Sequence, residues 1–231
     1  MDSYFTLDAL RLPYSVLQKQ EFGWLLSLRK FLQWNIVATE GINGFTKIDS
    51  ISIKDVPQPL QEEFSRKIMI ATDYGYSILK IGKIDTIGNL LQFTALLVNE
   101  SRDTVWEIGS ASIHINGKVV TKWIDGLRTD IDEEQSILTL RSYKDFSFLY
   151  PKHYNSYYHP DDFPTPKLLS NHINCYSKYE KYRISKIPDD NIESYLENKM
   201  AIDFQNLLST NFYRELTKQE IESLQRVTFN F

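Results

Sequence analysis

The sequence predicts an α+β fold in which an antiparallel, sandwich-like sheet block over residues 76–150 is flanked by helices from both ends of the chain. Three observations lead there. The stretch Ile113-His114-Ile115-Asn116-Gly117-Lys118-Val119-Val120 sets two alternating runs around an Asn-Gly pair, which accepts the positive φ angles of a type I′ turn and predicts a tight hairpin. Around it the hydrophobic period is two, giving runs at 78–84, 90–98, 105–115, 118–124, 137–140 and 146–150. Before and after the block the spacing lengthens to three and four, as helices require.

Residues 14–34 place Val16, Leu17, Phe22, Trp24, Leu25, Leu28, Phe31 and Leu32 at those longer spacings and read as a helix despite Gly23. The two glycines of Glu40-Gly41-Ile42-Asn43-Gly44-Phe45 read as a turn, leading to a strand that carries Ile48, Ile51 and Ile53. Pro57 and Pro59 stand at the entrance of a short helix over 60–68, whose early acids Glu62 and Glu63 suit the helix macrodipole. That helix is expected to end before Asp73-Tyr74-Gly75.

Within the block, the hairpin turn sets Ile115 opposite Lys118, Ile113 opposite Val120 and Ala111 opposite Lys122. His114, Val119, Thr121 and Trp123 then share the other surface, where His114 is a cross-strand neighbour of Val119 with no acid nearby in sequence. The run Phe93-Thr94-Ala95-Leu96-Leu97-Val98 is apolar at nearly every position, as a strand buried on both faces requires. Turn chemistry over 99–103 and a solvated acidic loop, Asp130-Ile131-Asp132-Glu133-Glu134, separate the runs. Short strands at this spacing resemble immunoglobulin-like sandwiches over about a third of the chain. The paired cysteines of antibody domains are missing, so the resemblance implies architecture and no activity.

Residues 151–166 hold four prolines among several tyrosines and read as an ordered surface linker. Asp190 with Glu193, and Thr217 with Glu220, each pair a capping residue with an acid three positions on, which predicts two C-terminal helices. Ile192, Leu196, Met200, Phe204, Leu207 and Leu208 form the apolar stripe of the first; Ile221 and Leu224 form that of the second. The expected organisation is therefore a mixed, helical segment over 1–75, a sheet core over 76–150, and a linker with helices over 151–231, together forming one compact domain.

Composition narrows the function classes. A formal charge of -4 argues against a broad nucleic-acid footprint, because neutralising phosphates needs clustered Lys and Arg. No run approaches the roughly 20 apolar residues of a membrane span, and the acidic start of the chain is unlike a secretory signal, so a cytoplasmic location is expected. Cys175 is the one cysteine, which excludes a disulfide framework and a multi-thiolate zinc site. Neither GxSxG, GxxxxGK[ST] nor GxGxxG occurs, which removes the common signatures of nucleophilic hydrolysis and of phosphate cradling.

The densest group of metal-ligand side chains is His153, His159, Asp161, Asp162, His172 and Cys175. His172 and Cys175 fit one helical turn, whereas His153 and His159 lie in proline-interrupted chain without an HExxH or CxxC frame. The pentapeptide Glu40-Gly41-Ile42-Asn43-Gly44 resembles one in rhodanese-related tRNA hydroxylation proteins, but the segment around Cys175 lacks the glycines of their anion-cradling loop, so no role carries over. Residues 176–183 interleave tyrosines with three cations and are followed by Asp189 and Asp190, the pattern of an exposed edge.

The expected role is a non-enzymatic protein-binding or assembly module, a subunit of a larger intracellular complex, using an aromatic interface at Tyr154, Tyr157 and Tyr158. Its partner is another protein or a second copy, and no cofactor is expected. The alternatives are a metal-assisted hydrolase built on His153, His159 and His172, and a structural component of a phage or other large assembly.

Overall fold

The computed structural model describes residues 3–8, 11, 38, 40–43, 48–115, 118–131, 135–141, 154–179, 187, 192–227 and 229. It is a mixed α+β structure with two open sheets. The larger sheet has seven strands: β3 (Ile48–Ser50), β4 (Ser77–Ile84), β6 (Leu90–Val98), β7 (Thr104–Ile115), β8 (Lys118–Asp130), β9 (Ser136–Arg141) and β10 (Tyr154–His159). Their spatial order is β10-β9-β8-β7-β6-β4-β3, antiparallel except where β10 runs parallel to β9. The smaller sheet pairs β1 (Tyr4–Leu7), β2 (Glu40–Asn43), β5 (Thr86–Gly88) and β11 (Tyr213–Glu215) in the order β11-β1-β2-β5.

The hairpin register follows from its turn signal. Ile115 pairs with Lys118, Ile113 with Val120 and Ala111 with Lys122, and both strands run beyond the expected ends, to Thr104 and Asp130. The turn residues Asn116 and Gly117 lie outside the described residues. Central strand β6 is buried on both faces: Phe93, Ala95 and Leu97 enter one core, and Leu96 and Val98 enter another. The expected helix over 14–34 and strand over 146–150 also lie outside the described residues.

Helices cover the sheet. On the face of Trp106, Ile108 and Leu127 lie α1 (Gln58–Asp73), which buries Leu60, Phe64, Ile68 and Ala71, and α2 (Thr165–Tyr176), which buries Leu168, His172 and Cys175. A proline sits in the first turn of each, where its missing N–H has no intrahelical role. On the opposite face α3 (Ile192–Ser209) brings Tyr195 to Asp130, and further along it packs Phe204 edge-on to Phe5 at 5.3 Å. The last helix, α4 (Lys218–Leu224), begins in the expected capping box, with Thr217 accepting from the Glu220 amide and Glu220 accepting from that of Thr217.

Three local expectations are corrected. Residues 40–43 form strand β2 instead of a glycine turn; without a side chain at Gly41, Leu216 approaches to where a Cβ would stand 2.7 Å from its Cδ1. Residues 154–159 are strand β10, not linker, because β9 offers them a parallel edge between bracketing prolines. Asp130 is buried, not solvated: Ser136, Arg128 and Tyr195 bond its carboxylate, and Lys199 stands 3.9 Å away. Burial pushes its carboxyl up, but Arg128 and the hydrogen bonds outweigh that and hold it below the usual range.

Candidate functional site

On the helix-covered face, alternation along β7 and β8 continues from His114 and Val119 through Trp123 to Trp106, Asp125, Leu127 and Thr129. Asp125 is 3 % exposed, so its charge requires partners. The Trp106 indole donates to one carboxylate oxygen at 2.7 Å, while Lys67 of α1 and Arg141 of β9 reach the other at 3.1 and 2.9 Å. Arg141 also donates to the Phe163 carbonyl and the Thr165 hydroxyl, both at 3.1 Å, fixing the start of α2. One buried carboxylate thus ties α1, β8, β9 and α2 together.

Above it opens a recess of about 270 Å³, lined by Arg66, Lys67, Ile70, Asp125, Arg141 and residues 161–165. An adjoining lobe of about 310 Å³ adds Glu63, Thr121, Lys122 and Trp123. Arg66 grips Glu63 through two bonds of 2.6 and 2.7 Å, and Lys67 lies 5.8 Å from the Trp123 ring centroid. The Arg66 bond lowers the Glu63 pKa and Glu63 raises that of Arg66, so both stay charged at neutral pH. Asp161 and Asp162 are exposed at the mouth, with neither an ion pair nor a hydrogen bond to their side chains among the described residues.

The recess lies at the seam between α1 and the start of α2. Arg66 and Lys67 of α1 line the recess together with Pro164 and Thr165 at the start of α2. Both helices cover the same face of the larger sheet. Ile70 and Leu169 pack on the common core, whereas Tyr74 and Ile173 are 46 % and 50 % exposed.

Deeper under α2, His172 is buried between two threonine hydroxyls, Nε2 at 2.9 Å from Thr129 and Nδ1 at 2.9 Å from Thr139. The Thr129 hydroxyl lies 2.8 Å from that of Thr104, which donates to Asp103. Each hydroxyl has one proton, and the direction of the chain follows. Thr104 gives its proton to the carboxylate, Thr129 gives its own to Thr104, so Nε2 of His172 donates and Nδ1 accepts from Thr139. Burial pushes the imidazole pKa down to about 4, which keeps the ring neutral.

The histidines named from sequence have the following places in the structure. His153 lies outside the described residues, His159 stacks on Phe163 at 4.1 Å, and both nitrogens of His172 face threonines. Among the described residues no group of three or more His, Cys, Asp or Glu side chains is disposed to hold a metal ion. Of the three tyrosines, Tyr157 is 37 % exposed and Tyr158 half-buried with its hydroxyl covered, while the Tyr154 side chain lies outside the described residues. Sequence reasoning missed Lys67, Asp125 and Arg141. Strand parity from the hairpin puts Asp125 on the Trp123 face, but nothing local signals that two distant cations converge there.

No protein-family model, curated protein or solved structure matches this chain.

Proposed function

We propose that this chain is a non-enzymatic protein-binding or assembly module, a cytoplasmic subunit of a larger complex, and that it meets its partner along the α1–α2 seam. The observation that carries this reading is the exposure of two large apolar side chains, Tyr74 at the end of α1 and Ile173 on α2, on helices that cover the same sheet face and together line a charged recess. An apolar strip beside polar, directional groups is the composition of a protein-docking surface. Acid–base chemistry prefers groups that titrate near the working pH. Glu63 and Arg66 are instead driven apart in pKa, each away from neutrality. The single cysteine, Cys175, is buried and free, in keeping with a reducing compartment.

The sandwich-like, immunoglobulin-like description belongs to the same proposal. It is supported by the uninterrupted antiparallel order β4-β6-β7-β8-β9 and by the presence of a second sheet.

The test is affinity capture of the full chain from its own cells, beside the variant Tyr74→Asp/Ile173→Asp. A discrete, stoichiometric partner retained by the parent and lost by the variant, with both giving the same circular dichroism, supports the reading. Equal retention by both removes the seam as the interface. If the retained protein is the chain itself, sedimentation distinguishes a closed dimer from the larger assembly of a particle component.

A further inference from the structure

We propose that the recess above Asp125 binds a small organic acid, whose single carboxylate sits against Lys67 and Arg141 and whose body is apolar. Charge, unused donors and the lining of the recess each support this assignment.

The charges around the floor interlock. Lys67 pairs with Asp125 at 3.1 Å and lies 3.7 Å from Glu63, Arg141 pairs with Asp125 at 2.9 Å, and exposed Arg66 grips Glu63. Three cations thus meet two carboxylates, and one positive charge is left over. Its owners are sheltered, with 13 % of the Lys67 side chain and 12 % of the Arg141 side chain exposed, so water compensates it poorly. One negative charge brought into the recess completes the balance.

The donors agree with the charge. Nη1 of Arg141 donates to the Phe163 carbonyl and the Thr165 hydroxyl and Nη2 is held by Asp125, but Nε is buried without a hydrogen-bond partner. The Lys67 ammonium has three N–H groups, of which Asp125 accepts one. Glu63, at 3.7 Å, is too far to accept another. Buried donors are normally paired, and both of these side chains line the recess and its outer lobe.

An arginine fork beside an ammonium matches the two oxygens of a carboxylate. Around these charges the lining is apolar, with Ile70, Phe163 and Pro164 in the recess and Trp123 in the outer lobe, which suits a short aryl or alkyl body. Asp161 and Asp162, exposed at the mouth, disfavour a second negative charge on the ligand, which separates a carboxylate from a phosphate dianion.

The probe is phenylacetate, titrated calorimetrically into the full chain beside its neutral amide and benzyl phosphate. Saturable binding of the acid is expected, about tenfold or more tighter than either analogue and weakened by salt. Arg141→Lys keeps the charge and removes the fork, and is expected to lose about tenfold in affinity while retaining the parent's circular dichroism. Lys67→Gln removes the leftover charge from the other side, and is expected to abolish the preference for the acid over the amide; it decides the matter if Arg141→Lys does not fold. No saturable binding, equal binding of the amide, tighter binding of the phosphate, or an affinity unchanged in a folded variant overturns the proposal. The site does not involve Tyr74 or Ile173, so any of those results leaves the protein-binding reading standing.

Discussion

Asp125 and His172 are both buried polar side chains, but substituting them has different consequences. Truncating Asp125 strands Lys67 and Arg141 against each other with 13 % and 12 % of their side chains exposed. Asp125→Ala is therefore expected to lower unfolding free energy by about 3–5 kcal/mol, measured by urea titration. His172 acts through pH. Its imidazole takes up a proton near pH 6.5 when unfolded but only near 4 when folded, so the unfolded chain binds more protons between those values. Stability from this group is complete above pH 6.5 and falls as pH drops toward 4, on the order of 3 kcal/mol over the window. His172→Gln should flatten that part of the profile relative to the parent. Nitrogen chemical shifts in the parent are expected to report the Nε2–H tautomer imposed from Asp103; the Nδ1–H form would break the derived direction of the chain. From sequence, His172 was legible as a helical residue one turn from Cys175, but its threonine partners lie 33 and 43 positions away, so its hydrogen bonding was not legible.

At the level of elements, local signals were read correctly where the chemistry is local. The Asn-Gly pair fixed the hairpin register, the Pro-led run became α1, and the Thr217–Glu220 box opens α4. The misreadings occurred where tertiary contacts decide. Strand β10 reads as linker because Tyr154-Asn155-Ser156-Tyr157-Tyr158-His159 has no clear alternation and is stabilised by a parallel neighbour distant in sequence. Gly41 reads as a turn because its reason for being glycine is the approach of Leu216. Gly126, in mid-strand, has a similar reason. A Cβ there would collide with the Leu140 side chain on β9, so Gly126→Ala is expected to cost about 1–3 kcal/mol, a clear shift in thermal midpoint. An unchanged midpoint would mean that β8 and β9 are more loosely packed than described.

Across the whole molecule, four carboxylates fasten peripheral elements to the sheets. Asp85 accepts from Tyr4 of β1 and Asn43 of β2, Asp130 holds α3, Asp103 heads the chain that ends on α2, and Asp125 joins α1 to α2. Composition predicted an ordinary folded core, but these long-range attachments depend on which strand faces which helix and are invisible in one sequence. They fasten α1 and α2 to the sheet, and the two exposed apolar side chains there, Tyr74 and Ile173, form the surface on which the functional reading rests. Its most direct test is a photo-crosslinking amino acid placed at position 173, with position 202 of α3, 46 % exposed on a different helix, as the control. Irradiation in the protein's own cells is expected to yield one discrete protein adduct from position 173 and none from 202. The same adducts from both positions, or none from 173, would contradict the seam as the docking surface.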